Sequence, residues 1–96
     1  MDSARGHVTG ADAKHRVRLY GLSTCGWCRD AREFLTKRGV DFDYAYVDLL
    51  EGDDLAAVVE EVKRWDPGLV FPVVVVDDAE AVVGFRPERL EEILGR

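Results

Sequence analysis

Two side chains in this sequence can exchange electrons: Cys25 and Cys28, its only cysteines, within Ser23-Thr24-Cys25-Gly26-Trp27-Cys28-Arg29. Two intervening residues let the sulfurs come within disulfide range across a single turn. A thiolate attacks a disulfide, a mixed disulfide forms, and a second nearby thiol can then release the product. The pair falls where the strand-like segment Val17 to Tyr20 gives way to helical spacing at Trp27, Ala31, Phe34 and Leu35. The N-terminus of a helix offers unpaired N–H groups and the positive end of its dipole, both of which favour a sulfur anion. Cys25, just before the helix, is expected to face solvent and act as nucleophile. Cys28, one turn in, is expected to be shielded and to resolve the mixed disulfide.

Three other readings of the pair are weaker. A structural disulfide is rare in a cytoplasmic chain, and closing so short a loop gains little. Zinc needs about four ligands, and only His7 and His15 could join the cysteines. Two inert buried cysteines leave their placement at a helix start unexplained. Arg29 and Arg32 add positive charge nearby or point to water. No acidic residue lies between Lys14 and Cys28, so the proton carrier is open among Asp30, Glu33, a distant group and water.

The elements that must hold this pair follow from patterning. The chain has 96 residues, enough for one domain with one core. Val17 to Tyr20 reads as a strand and residues 26–38 as a helix, with Lys37 and Arg38 in the last turn and Gly39 after it. Phe42 to Leu49 reads as the second strand. Asp53 and Asp54 open a second helix with Leu55, Val58, Val59 and Val62 on its inner face, stopped by Asp66-Pro67-Gly68. Val73 to Val76 suits a strand covered on both sides, paired through Asp77–Glu80 with Ala81 to Val83. Pro87 starts a last helix carrying Leu90, Ile93 and Leu94, and Gly95 ends it. The predicted order is β-α-β-α-β-β-α: an α/β domain over residues 16–96, a four-stranded mixed sheet with helices on both faces. Residues 1–15, without apolar periodicity, are expected to form a mobile arm.

Composition narrows the partners. Thirteen Lys and Arg against 19 Asp and Glu give a net charge of −6, the wrong sign for nucleic acid or an anionic membrane surface. No apolar run nears the ~20 residues of a membrane helix, and the first fifteen residues lack a secretory stretch. A cytoplasmic monomer is the expectation.

With Phe71-Pro72 before the third predicted strand and Val83-Gly84-Phe85 after the fourth, the Cys25-Gly26-Trp27-Cys28 motif makes residues 16–94 resemble the glutaredoxin family of the thioredoxin-fold superfamily. The resemblance implies a dithiol thiol–disulfide oxidoreductase with a redox-active Cys25–Cys28 disulfide and no bound cofactor. It implies that Pro72 is cis and faces the dithiol, and that Phe71 pairs its backbone with substrate. Thr24, Gly26, Trp27, Gly84 and Phe85 complete the expected substrate contacts. Trp27 is either a platform for substrate or core: the face it shares with Ala31, Phe34 and Leu35 leans slightly toward core, and a position at the exposed loop edge favours contact. Trp65 reads as packing.

Departures from the family bear on the reductant. Glutathione-using members commonly carry Lys three residues before the first Cys, where this chain has Leu22, and an acidic pair after a Gly pair, where it has Gly84-Phe85-Arg86-Pro87. Gly26 replaces the usual Pro. The Gly-Phe-Arg-Pro ending is similar to glutaredoxin-like redoxins that reduce ribonucleotide reductase and are recharged by thioredoxin reductase. The expected partners are therefore a disulfide-containing protein and either thioredoxin reductase or glutathione as reductant. Arg86 either steers an acidic partner tail or merely ends a helix. The alternative functions are a [2Fe–2S] cluster-binding dimer, which Gly26 permits, and a redox adaptor.

Overall fold

Val73–Val76 shows how the sheet is built. Side chains alternate across a strand, so Val74 and Val76 join one apolar cluster and Val73 and Val75 the other. All four are buried. A strand of this kind needs cover on both faces, and the computed structural model, which describes residues 4–96, supplies it. The elements in chain order are β1 (Arg5–Val8), β2 (Asp12–Gly21), α1 (Gly26–Lys37), β3 (Val40–Tyr46), a 3₁₀ turn (Val47–Leu49), α2 (Gly52–Trp65), β4 (Val73–Val76), β5 (Glu80–Val83) and α3 (Pro87–Leu94). The sheet order is β1-β3-β2-β4-β5. β2 and β3 run parallel across the α1 crossover; β4 is antiparallel to β2, and β5 to β4.

One face of the sheet packs on Ala31 and Leu35 of α1 and on Leu90, Ile93 and Leu94 of α3. The other packs on Val58 and Val62 of α2. An eight-residue helix such as α3 is too short to persist alone in water. Its three buried apolar side chains hold it, each contributing roughly 1.5–3 kcal/mol of burial. α2 carries Asp53 and Asp54 in its first turn and Lys63 and Arg64 in its last, matching its dipole. Among the described residues no helix is long and apolar enough to cross a membrane.

The fold is the thioredoxin-like α/β arrangement expected, with three corrections. The sheet has five strands, not four. The segment expected to be a mobile arm contains β1 and the start of β2, apart from residues 1–3, which lie outside the described part. The second expected strand stops at Tyr46, and Val47–Leu49 turns into the 3₁₀ helix.

β1 packs only Val8 on the core, and polar partners add to its hold. It pairs antiparallel with β3 at Arg5↔Ala45 through Val8↔Phe42. The His7 ring meets the carboxylates of Asp43 (2.7 Å) and Asp41 (3.0 Å), and Arg5 meets Asp54 of α2 at 3.1 Å. Gly10 N–H donates to Asp41 at 3.0 Å, closing the link from β1 to β2. Hydrogen bonds to the Asp43 and Asp41 carboxylates raise the His7 pKa, and those that Asp41 accepts from Gly10 and His7 lower that of Asp41.

Candidate active site

β2 delivers the cysteines. After Gly21 the chain turns through Leu22–Thr24, and Cys25 N–H donates to the Leu22 carbonyl at 3.3 Å. The turn is fastened from outside by Asp48 of the 3₁₀ helix, whose carboxylate accepts the Ser23 N–H (2.8 Å) and the Ser23 hydroxyl. These hydrogen bonds, the Ser23 hydroxyl first, hold the Asp48 carboxyl below the ordinary carboxylate range.

Cys25 is the N-cap of α1. Its sulfur takes the place an N-cap oxygen would occupy and accepts the Cys28 N–H at 3.2 Å. The residue is half-buried, and Thr24 and Gly26 on either side are exposed. Cys28, one turn into the helix, is only 2 % exposed. Its sulfur accepts the Leu22 N–H at 3.4 Å. Burial, followed by the hydrogen bond to Cys25, pushes the Cys28 thiol up to about 12, with the charges of Cys25 and Asp48 acting the same way; the Leu22 N–H opposes them. One sulfur is thus reachable and the other is kept as a thiol beneath it.

Gly21 makes this closeness possible. A Cβ there would stand 3.0 Å from the Cys28 Cβ and 3.2 Å from its sulfur. The β2–β4 register, Tyr20↔Val73, places Pro72 beside Gly21, so the start of β4 lies against the strand end that carries the cysteines. The Phe71–Pro72 bond is cis. Gly84 N–H donates to the Pro72 carbonyl at 2.7 Å with φ of 81°, a left-handed backbone that glycine adopts freely. The next residue, Phe85, packs on Phe34 (ring centroids 6.1 Å apart) and Trp27 (6.4 Å).

Trp27 corrects the leaning toward core. It is 65 % exposed, with its ring tilted against that of Phe85. Val70, on the approach to Pro72, is 55 % exposed, and Leu49 beside Asp48 is exposed too. Phe71 is half-buried against the α2-side cluster, as are Leu22 and Trp65. Arg86 is exposed at the start of α3. Of the two arginines near the cysteines, Arg29 is exposed, whereas Arg32 lies over the Tyr44 ring at 4.3 Å and donates to the Tyr46 hydroxyl.

Sequence reasoning missed Asp48 and Ser23. No acidic residue lies between Lys14 and Cys28, and the carboxylate bearing on Cys28 comes 20 positions after it and arrives through the parallel β2–β3 crossover. No local spacing signals such a contact.

A family model for glutaredoxin matches residues 17–80. The glutaredoxin of Methanosarcina mazei is 45% identical, with a TM-score of 0.91 over 98% of this chain and 90% of its own. Methanoredoxin of Methanosarcina acetivorans is 37% identical, with a TM-score of 0.90 over 99% of this chain and 100% of its own. The NrdH-redoxin of Escherichia coli, a glutaredoxin-like protein with a thioredoxin-like activity profile, is 25% identical, with a TM-score of 0.64 over 81% of this chain and 93% of its own. With the family match spanning the strand, the cysteine turn and the cis-proline loop together, this chain belongs to the glutaredoxin family, thioredoxin-fold proteins of thiol–disulfide exchange.

Proposed function

We propose that the protein reduces disulfides in partner proteins through a two-step exchange at Cys25 and Cys28. The Cys25 thiolate attacks one sulfur of the substrate disulfide; an S–S bond forms to Cys25, and the other substrate sulfur leaves as a thiolate that takes a proton. The Cys28 thiol then loses its proton, attacks Cys25 and expels the second substrate thiolate. Two electrons pass to the substrate, and the enzyme is left as the Cys25–Cys28 disulfide. The observation carrying this reading is the half-buried Cys25 sulfur capping α1 directly above a buried Cys28.

The surroundings of Cys28 support the order of events. The hydrogen bond to Cys25 and the charge on Cys25 both raise the Cys28 thiol. Both vanish once Cys25 is tied up in a mixed disulfide. The Leu22 N–H remains to receive the new thiolate. Cys28 is thereby held in reserve until Cys25 has reacted.

We assign recharging to a protein reductant of the thioredoxin reductase type rather than to glutathione. Leu22 and Phe85-Arg86 stand where glutathione users carry charged contacts, and the similarity to a redoxin with a thioredoxin-like activity profile supports the same choice. The test offers the oxidised protein either thioredoxin reductase with its nicotinamide donor or glutathione with its reductase. Free thiols should return faster with the first. Cys25→Ser should abolish reduction of a protein disulfide; full activity in that variant would end the proposal.

A further inference from the structure

The outer face of α1 carries Arg29, Arg32, Glu33, Thr36 and Lys37, at spacings of three, four, seven and eight that place them on one side of a helix. With Tyr46 of β3 they line a groove of about 470 Å³ that starts one turn from Cys25. It holds three cations and a single acid in a chain whose net charge is −6.

Most other cations are already partnered. Arg5, Arg16, Arg18, Arg38, Arg89 and Arg96 each lie within 4.0 Å of a carboxylate. Lys63 and Arg64 sit in the last turn of α2, where the dipole favours them. Among the described residues Arg29, Arg32 and Lys37 make no such ion pair. Arg32 is also immobilised: it lies over Tyr44 and donates to the Tyr46 hydroxyl. A guanidinium fixed in this way gives up little freedom on meeting a carboxylate with its remaining N–H groups. The opening of about 450 Å³ on the α2 side of the sheet lacks this character, since its Arg5, His7 and Arg18 already meet Asp54, Asp43 and Glu61.

We propose that this groove docks an acidic segment of the protein whose disulfide Cys25 reduces, so that the sequence beside the reactive cysteine selects the partner. The inference rests on the exchange chemistry proposed above. Its dimensions fix the segment. Arg29 and Lys37 lie about 6 and 18 Å along the helix from Cys25 at 1.5 Å per residue. An extended strand at about 3.3 Å per residue spans that range with positions two to six from the cysteine. Two or more Asp or Glu there would pair with the three cations and pass the lone Glu33.

The test compares two synthetic disulfide peptides that differ only at positions two to six from the reactive cysteine, four Glu in one and four Gln in the other. The wild-type protein should favour the acidic peptide by about tenfold in kcat/KM, through KM, and the preference should fall as salt rises from 50 to about 500 mM. The Arg29→Gln/Lys37→Glu double variant should lose the preference while still reducing the Gln peptide. Equal rates on both peptides in the wild type, or a preference indifferent to salt, would overturn the docking site; the wild-type salt series stands even if the variant misfolds. Failure to reduce either peptide would instead strike the exchange chemistry itself.

Discussion

At the residue scale the decisive asymmetry is between two sulfurs three positions apart. Cys25 caps a helix at the edge of solvent, and Cys28 lies under Gly21 and the Leu22 N–H. Burial leads the causes that raise the Cys28 thiol from its ordinary 9.0 to about 12. A group whose folded pKa is raised supports the fold fully below its unfolded value and loses that support as pH climbs through the folded one. Reduced wild-type protein should therefore lose stability relative to Cys28→Ala between about pH 9 and 12, as measured by urea unfolding across that window; parallel curves would refute the burial argument. The unequal exposure of the two cysteines is legible from their place before and inside a helix. The exposure of Trp27 is less so. Its spacing matches the inner face, yet it lies in the first turn of α1, 65 % exposed, with its ring beside Phe85.

At the scale of elements, sequence patterning recovered what hydrophobic burial dictates. α1, α2 and α3 each bury an apolar stripe, and β4 and β5 read as a valine-rich pair. β1 was invisible for the opposite reason. Apart from Val8 and the backbone ladder, its attachment runs through His7 to Asp41 and Asp43 and through Arg5 to Asp54, pairs 34 or more positions apart that leave no local period. That attachment is pH-dependent. The His7 imidazole is raised by Asp43 and then Asp41, so its hold on β3 is complete below its ordinary value of 6.5 and is lost as pH rises through the raised one. Amide exchange in β1, corrected for the intrinsic rate, should be slower at pH 6 than at pH 9, and Asp43→Asn should narrow the difference. An unchanged protection factor would mean that the backbone ladder alone holds the strand.

At the scale of the molecule, the site sits at one end of the sheet, where β2 ends and β4 begins. The β2 end supplies the cysteines, the β4 end the cis-proline loop, and Gly84-Phe85 after β5 closes the side toward Trp27. The strands underneath position Cys25, and Trp27, Val70 and Leu49 remain exposed apolar side chains. The Cys28→Ser protein, mixed with a disulfide-bonded peptide and analysed by intact mass and peptide mapping, tests this division of labour most directly. One peptide should be found per chain, attached through Cys25, and dithiothreitol should release it. No adduct, or an equally stable one formed through Cys28 in the Cys25→Ser protein, would contradict an outer sulfur that attacks and an inner one that waits.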